Sequence, residues 1–275
     1  MMPGMSFDLQ RLPVLLAGAS DVARAAGREI MRVYAQDFAV AEKDDRSPLT
    51  EADLASQRVI TAGLRALAPD IPVLGEESPA EEIAQRRDWP TLWLIDPLDG
   101  TREFIKRNGE FAVNIALVHR HEPLLGIIFA PVRNELYTGH RGAPALRVGA
   151  DGRSQTLRAA HRASARPRVL ASRSHRGASI DALLARIGPH ELIAAGSSLK
   201  FGVLAAGEAD LYPRFSPTSE WDTAAGQAIL DAAGARLVGL DGRPLRYNAR
   251  DTLINPSFLC WADDSRDWLA LANAT

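Results

Sequence analysis

Asp96 and Asp99 stand three residues apart with Pro97 between them, at the end of the apolar run Trp93-Leu94-Ile95 and directly before Gly100-Thr101. An all-apolar run of this kind is a central strand, so it delivers two carboxylates to one sheet edge. Proline removes an N–H and stiffens the turn, which lets both carboxylates and the Leu98 carbonyl converge. Gly100 and Thr101 then offer backbone N–H groups suited to phosphate oxygens. Oxygen-only ligands beside a phosphate cradle specify a hard cation, Mg²⁺ first. A bare pair of aspartates at this spacing is more often a chain-capping turn; the whole string on the end of an apolar strand is not.

Two weaker acidic strings accompany it. Gly75-Glu76-Glu77-Ser78 follows a short apolar stretch, and Trp221-Asp222-Thr223-Ala224-Ala225-Gly226 opens a run of small residues. Alone, the first reads as a surface turn and Asp222 as a helix-start charge. The small residues after Asp222 permit close helix packing. Other phosphate chemistries fit less well. Aspartyl-phosphate sites of the haloacid dehalogenase type space their aspartates by two, not three, and no G-x-x-x-x-G-K-[ST] loop occurs.

The elements that must position these groups follow from periodicity. A helix is predicted from Phe7 to Tyr34 and a second from Glu51 to Leu67, with a charged, proline-broken loop over 42–48 between them. Strands are predicted at 71–74 and 91–95, then a meander of 111–119, 124–131 and 135–139 joined by a turn at 120–123. Residues 140–166 read as an irregular link. Beyond it alternate strand 168–172, helix 177–187, strand 191–195, helix 198–206, strand 209–214, helix 221–233 and strand 235–239. No element is assigned after 239, and no internal repeat is present. The pattern is a mixed α/β layered protein: an N-terminal α+β half over 1–150 with most of the acidic groups, and an α/β half over 151–275 with Asp222.

Composition narrows the partners. A formal net charge of −2 advertises no nucleic-acid polymer or anionic surface. Cys260 is the only cysteine, so an intrachain disulfide and a thiolate zinc cluster are excluded, and a small buried hydrophobe is expected there. The N-terminus lacks the pattern of a signal peptide, and no run approaches the roughly 18 apolar residues of a membrane span. A cytoplasmic protein is expected. Among 32 basic residues only Lys43, Lys106 and Lys200 are lysine, each beside one of the motifs, a hint that a compact ammonium is needed there.

Taken together, Gly75–Ser78, Asp96–Thr101 and Trp221–Gly226 resemble the three signatures of the inositol monophosphatase superfamily. Thr101–Phe111, Gly196-Ser197-Ser198-Leu199-Lys200-Phe201 and Ala209–Phe215 extend the resemblance to its CysQ-type 3′(2′),5′-bisphosphate nucleotidases. The resemblance implies a layered α-β-α-β-α sandwich of the inositol monophosphatase/fructose-1,6-bisphosphatase type. It also implies removal of the 3′-phosphate of 3′-phosphoadenosine 5′-phosphate (pAp), giving AMP, with the phosphosulfate analogue as a further substrate and a place in sulfur assimilation.

Roles carry over by position. Glu76, Asp96, the Leu98 carbonyl, Asp99 and Asp222 resemble ligands of two or three Mg²⁺ ions. Glu76, Thr101 and Asp53 resemble the groups that orient and deprotonate the attacking water, so no phosphoenzyme is expected. Gly100, Ser197, Lys200 and Arg214 resemble substrate-binding positions. His175 is either one more of these or an exposed loop histidine, and Lys43 falls in a loop that closes over the site in relatives. Inhibition by Li⁺ is implied too.

Gly75 stands where CysQ-type sequences can carry serine. An inositol-1-phosphate or sugar-phosphate phosphatase on the same scaffold is therefore the alternative. A non-catalytic phosphonucleotide sensor is disfavoured by the intact carboxylates. Monomer and homodimer are both compatible with the resemblance, as is peripheral membrane association.

Overall fold

Leu12, Leu15, Ala19, Ala23, Ala26 and Ile30 recur at three- and four-residue spacing and are all buried, one stripe of a helix laid on a sheet. The structure, a computed structural model, describes residues 7–42, 47–160, 165–171 and 177–274. Helix α1 is Leu12–Tyr34, started by Pro13 in its first turn and preceded by a single 3₁₀ turn at Leu9–Arg11. Two short antiparallel strands, β1 (Val40–Glu42) and β2 (Pro48–Thr50), flank the stretch expected as loop and take in only its end residues Glu42 and Pro48. Helix α2 is Glu51–Leu67, with the expected bounds because Thr50 and Asp53 form a capping box at its start.

Strand β3 (Val73–Gly75), helix α3 (Ala80–Gln85) and strand β4 (Thr91–Asp99) follow, then helix α4 (Thr101–Ile105). The expected strand ending at Ile95 in fact runs on through both aspartates. Strands β5 (Ala112–His119), β6 (Glu122–Ala130) and β7 (Glu135–His140) form the meander. Arg120 and His121 take φ of 47° and 72°, so the first hairpin turns in two residues and Glu122 already belongs to β6. The supposed link contains β8 (Leu146–Val148) and β9 (Ser154–Thr156), which complete a seven-stranded sheet in the order β3-β4-β5-β6-β7-β8-β9.

The rest of the chain gives β10 (Arg168–Ala171), α5 (Ala178–Ile187), β11 (Glu191–Ala194), α6 (Leu199–Ala205), β12 (Leu211–Arg214) and α7 (Glu220–Ala233). Strands β13 (Arg236–Gly239) and β14 (Phe258–Trp261) and helix α8 (Trp268–Asn273) end it. The second sheet has five strands in the order β11-β10-β12-β14-β13.

Alternating side chains distribute the core. Trp93, Ile95, Val113, Ile115 and Ile127 face α1 and α2, whereas Leu92, Leu94, Ala116 and Ile128 face α6, α7 and the second sheet. The far side of the second sheet, with Val169, Leu211 and Leu259, is covered by α5 and α8. The layers therefore run helix, sheet, helix, sheet, helix.

Helix α7, in the middle layer, sits unusually deep. Gly126 and Gly139 are paired across β6 and β7 beneath it. A Cβ on Gly126 would lie 2.1 Å from Ala225 O, and one on Gly139 2.8 Å from Ile229 Cα. Backbone thus meets backbone, which only glycine permits.

Candidate active site

The two aspartates of β4 owe their common direction to a bulge. Asp96 pairs with Asn114 and Asp99 with Ala112, so three steps on β4 oppose two on β5. In a regular strand residues three apart point to opposite faces. The extra residue restores the parity and turns both carboxylates to the same edge. Pro97, with no N–H to give to the ladder, sits inside the bulge. Ser56 Oγ of α2 donates to Pro97 O at 2.6 Å and pins the bulge to the helix layer.

Around this edge the structure gathers expected residues from several elements. A cavity of about 340 Å³ is lined by Glu76, Asp99, Gly100, Thr101, Ser197, Lys200, Arg214 and Asp222. Glu76 follows β3, its N–H donating to Ile95 O at 3.3 Å. Asp222 lies in the first turn of α7, where Oδ2 accepts the Ser219 N–H at 2.8 Å. Asp96 is buried beneath the cavity and accepts the Leu98 N–H at 3.0 Å. Asp99 Oδ2 accepts from Ser197 Oγ at 2.7 Å and from Ser198 N at 2.5 Å, which ties β4 to the start of α6. Lys43 and His175 lie outside the described residues.

Asp53 completes the floor. Its Oδ2 accepts from Thr50 N at 2.8 Å and Thr50 Oγ1 at 2.6 Å, and its Oδ1 lies 3.1 Å from Thr101 Oγ1. The Thr101 hydroxyl is also 3.3 Å from Leu98 O, so one proton has two acceptors to choose between. Gly100, at φ 93°, makes the left-handed step from β4 into α4 that places Thr101 there.

Electrostatics indicate what this edge can hold. Burial raises the Asp96 carboxyl well above the usual range, and the charges of Glu76, Asp99 and Asp222 raise it further. Asp222 is pushed up by burial and by Asp99. Asp53 is raised by burial and, against its hydrogen bonds, by Glu76. Carboxylates that destabilise one another in this way are suited to a cation between them. The donors are hard oxygens, so a Mg²⁺-like ion fits their chemistry. Among the described residues no three acidic, imidazole or thiol side chains are already arranged around one ion. Asp99 and Asp222 instead turn an oxygen to local N–H and O–H donors.

Basic groups line the same cavity. Lys200 is 3 % exposed; its Nζ donates to Ser197 O at 2.9 Å and stands 5.5 Å over the Tyr212 ring. Burial lowers its pKa to about 8. The Arg214 guanidinium donates to the carbonyls of Ser216 and Pro217, at 3.2 and 3.4 Å. Ser197 takes φ of 53°, a left-handed conformation rare outside glycine, and Asp99 holds it there.

Three supporting residues were not singled out from sequence: Ser56, Asn114 and Ser198. Asn114 is fully buried, donates to Asp99 at 3.4 Å and accepts from Ser198 Oγ at 2.6 Å. A lone amide in the apolar run Ala112-Val113-Asn114-Ile115-Ala116 was the available signal.

The chain is similar to known proteins in sequence and fold. The 3′(2′),5′-bisphosphate nucleotidase CysQ of Escherichia coli K12 is 47% identical over 247 residues, 89% of this chain and 98% of that protein. The crystal structure of CysQ from Bacteroides thetaiotaomicron superposes with a TM-score of 0.78 at 39% identity, covering 93% of this chain and 99% of the other. An IMPase of Thermotoga maritima shares the fold, with a TM-score of 0.78 at 24% identity over 94% of this chain and 96% of that one. The inositol monophosphatase family model matches residues 12–270, and with the layered fold and the acidic edge already described, the chain belongs to that family.

Proposed function

We propose that this protein hydrolyses the 3′-phosphate of pAp to AMP and phosphate, with Mg²⁺ as its cation. The observation that carries the substrate is a cavity lined by acidic groups and also by Lys200 and Arg214. A monophosphate needs only the acidic groups. A second phosphate gives the basic pair its purpose. The name carried by relatives 47% identical over most of the chain supports the same substrate.

Glu76, Asp96, the Leu98 carbonyl, Asp99 and Asp222 would hold the cation, in two or three positions. When bound, it supplies Lewis acidity and neutralises charge on the phosphate. The protein's own part is proton handling and orientation. Thr101 Oγ1 gives its hydrogen to Asp53 and keeps a lone pair for a water in the cavity. Asp53, made more basic by burial, takes the proton that this water loses through Thr101. Lys200 and Arg214 orient the 5′-phosphate, and Ser197 borders the same pocket. No side chain is needed as a nucleophile.

The test is phosphate release with Mg²⁺ from pAp, inositol 1-phosphate and fructose 1,6-bisphosphate side by side, with and without Li⁺. Preference for pAp is expected. Preference for inositol 1-phosphate would discard the nucleotide reading, and turnover of none would favour a sensor.

A further inference from the structure

Glu220 opens α7, two residues before Asp222, and is wholly buried. Both its oxygens are engaged: Oε2 accepts the Asn248 N–H at 2.5 Å and Oε1 accepts from the Arg250 guanidinium at 2.9 Å. The segment that supplies these donors grips the start of α7 elsewhere too. Glu220 N donates to Leu253 O and Asn255 N to Thr218 O, each at 2.8 Å. Asn255 Nδ2 donates to Ser219 O at 2.7 Å and lies 2.9 Å from Thr223 Oγ1.

That segment is held in turn from the first sheet. Arg86 lies on the connection between β3 and β4, midway between Glu76 and Asp96, and is 3 % exposed. Its guanidinium donates to Asn248 Oδ1 at 2.8 Å, Arg250 O at 2.9 Å and Asp251 O at 2.7 Å. Asn248 Nδ2 returns a bond to Arg86 O at 2.7 Å. One continuous set of buried hydrogen bonds thus joins the connection between Glu76 and Asp96 to the turn that carries Asp222. None of Arg86, Asn248, Arg250, Asn255 or Glu220 lines the cavity.

The acidic edge needs such a tie. Glu76, Asp96, Asp99 and Asp222 come from separate elements, so the start of α7 has to be held beside the β4 bulge for Asp222 to meet the other three. We propose that Arg86, Asn248 and Glu220 form a clamp that holds Asp222 against the β4 aspartates and so prepares the edge for its cation. These are positioning residues, acting through Asp222. The inference rests on the cation-dependent reading above. Preorganisation of this kind shows as affinity, because the ordering is complete before the ion arrives, and groups that orient metal ligands typically change affinity by about 10- to 100-fold.

The experiment is calorimetric titration of the full chain with Mn²⁺ in the absence of substrate, with Tm measured on each sample. Arg86→Met and Glu220→Gln are compared with wild type, Arg86→Lys serving as the conservative change. Arg168→Met is the control; it breaks an ion pair to the buried Asp210 at 2.8 Å, away from the acidic edge. The clamp variants should bind Mn²⁺ about 10- to 100-fold more weakly. Arg86→Lys should fall between, since an ammonium cannot span three acceptors as a guanidinium does. Arg168→Met should lose Tm and keep its affinity. Wild-type affinity in folded clamp variants overturns the clamp alone. If Arg86→Met does not fold, Glu220→Gln decides by the same criterion, since it keeps the side chain's shape. No Mn²⁺ binding by wild type overturns the cation reading and the clamp with it.

Discussion

Thr101 Oγ1 stands 3.1 Å from Asp53 Oδ1, although the two residues come from different helices and are joined only through the floor of the cavity. The other oxygen of Asp53 is saturated by Thr50, so Oδ1 is the one left to act with Thr101. Thr101→Val keeps the shape and removes the hydroxyl. It should lower kcat by about 10²- to 10⁴-fold, the usual range for lost acid–base help. Thr101→Ser should restore most of it. Steady-state kinetics with thermal denaturation of the same samples checks this; a valine variant with wild-type kcat ends the proton-handling role.

Asp99 is the link between the bulge and α6. Asp99→Asn should abolish measurable turnover while leaving a folded protein, because the carboxylate is lost and the shape is kept. Its Tm at neutral pH should fall little, since relief of repulsion with Asp96 and Asp222 offsets the weaker bonds to Ser197 and Ser198. Near-normal activity would remove Asp99 from the proposed ligand set.

Lys200 gives a pH dependence of definite sign. Its folded pKa of about 8 lies below the ordinary value for lysine. The cation that would pair with phosphate is therefore present below about pH 8 and lost above it. The kcat/KM for pAp should fall by roughly tenfold per pH unit beyond that point, since this ratio follows the free enzyme. Lys200→Met should lower kcat/KM at pH 7 and remove this limb. The linkage for stability runs the opposite way: between about 8 and the unfolded value the unfolded chain binds the extra proton, so stability rises with pH. A profile unchanged by Lys200→Met would detach the lysine from substrate.

Among the described residues Arg214 bonds to two main-chain carbonyls, which leaves the rest of its guanidinium fork for an anion. Arg214→Ala should raise KM for pAp by roughly 10- to 100-fold, the range of one charge-assisted hydrogen bond. KM for 3′-AMP, which lacks the second phosphate, should change by far less. An equal rise for both substrates would mean that Arg214 shapes the loop and does not read the 5′ end.

What could be read from residue types and what could not divide along a physical line. The acidic groups at 76, 96, 99 and 222 were legible because each stands at an abrupt change of composition, and the end of α2 because Pro69 follows it. The direction of Asp96 and Asp99 was not, since it depends on a bulge defined by pairing with β5. Strand β4 was cut short for that reason. Strand β9, at the sheet's edge, is Ser-Gln-Thr with no apolar residue, and β8 alternates Leu146, Arg147 and Val148 over three residues only, too few to show a period. Strand β14 has four residues, all buried, too few to show a period. Ser56, Asn114 and Ser198 take their meaning from partners far along the chain, which no local pattern encodes.

The glycine pair beneath α7 has a consequence for how this chain can diverge. Gly126 and Gly139 carry no functional group, yet a single methyl on either would lift the helix that bears Asp222. In a library of all single substitutions selected for turnover, both positions should be depleted as severely as the carboxylates. Surface residues of the cavity mouth should drift freely by comparison. A lineage built on this scaffold would be able to change what it binds long before it could change the two places where it has no side chain at all.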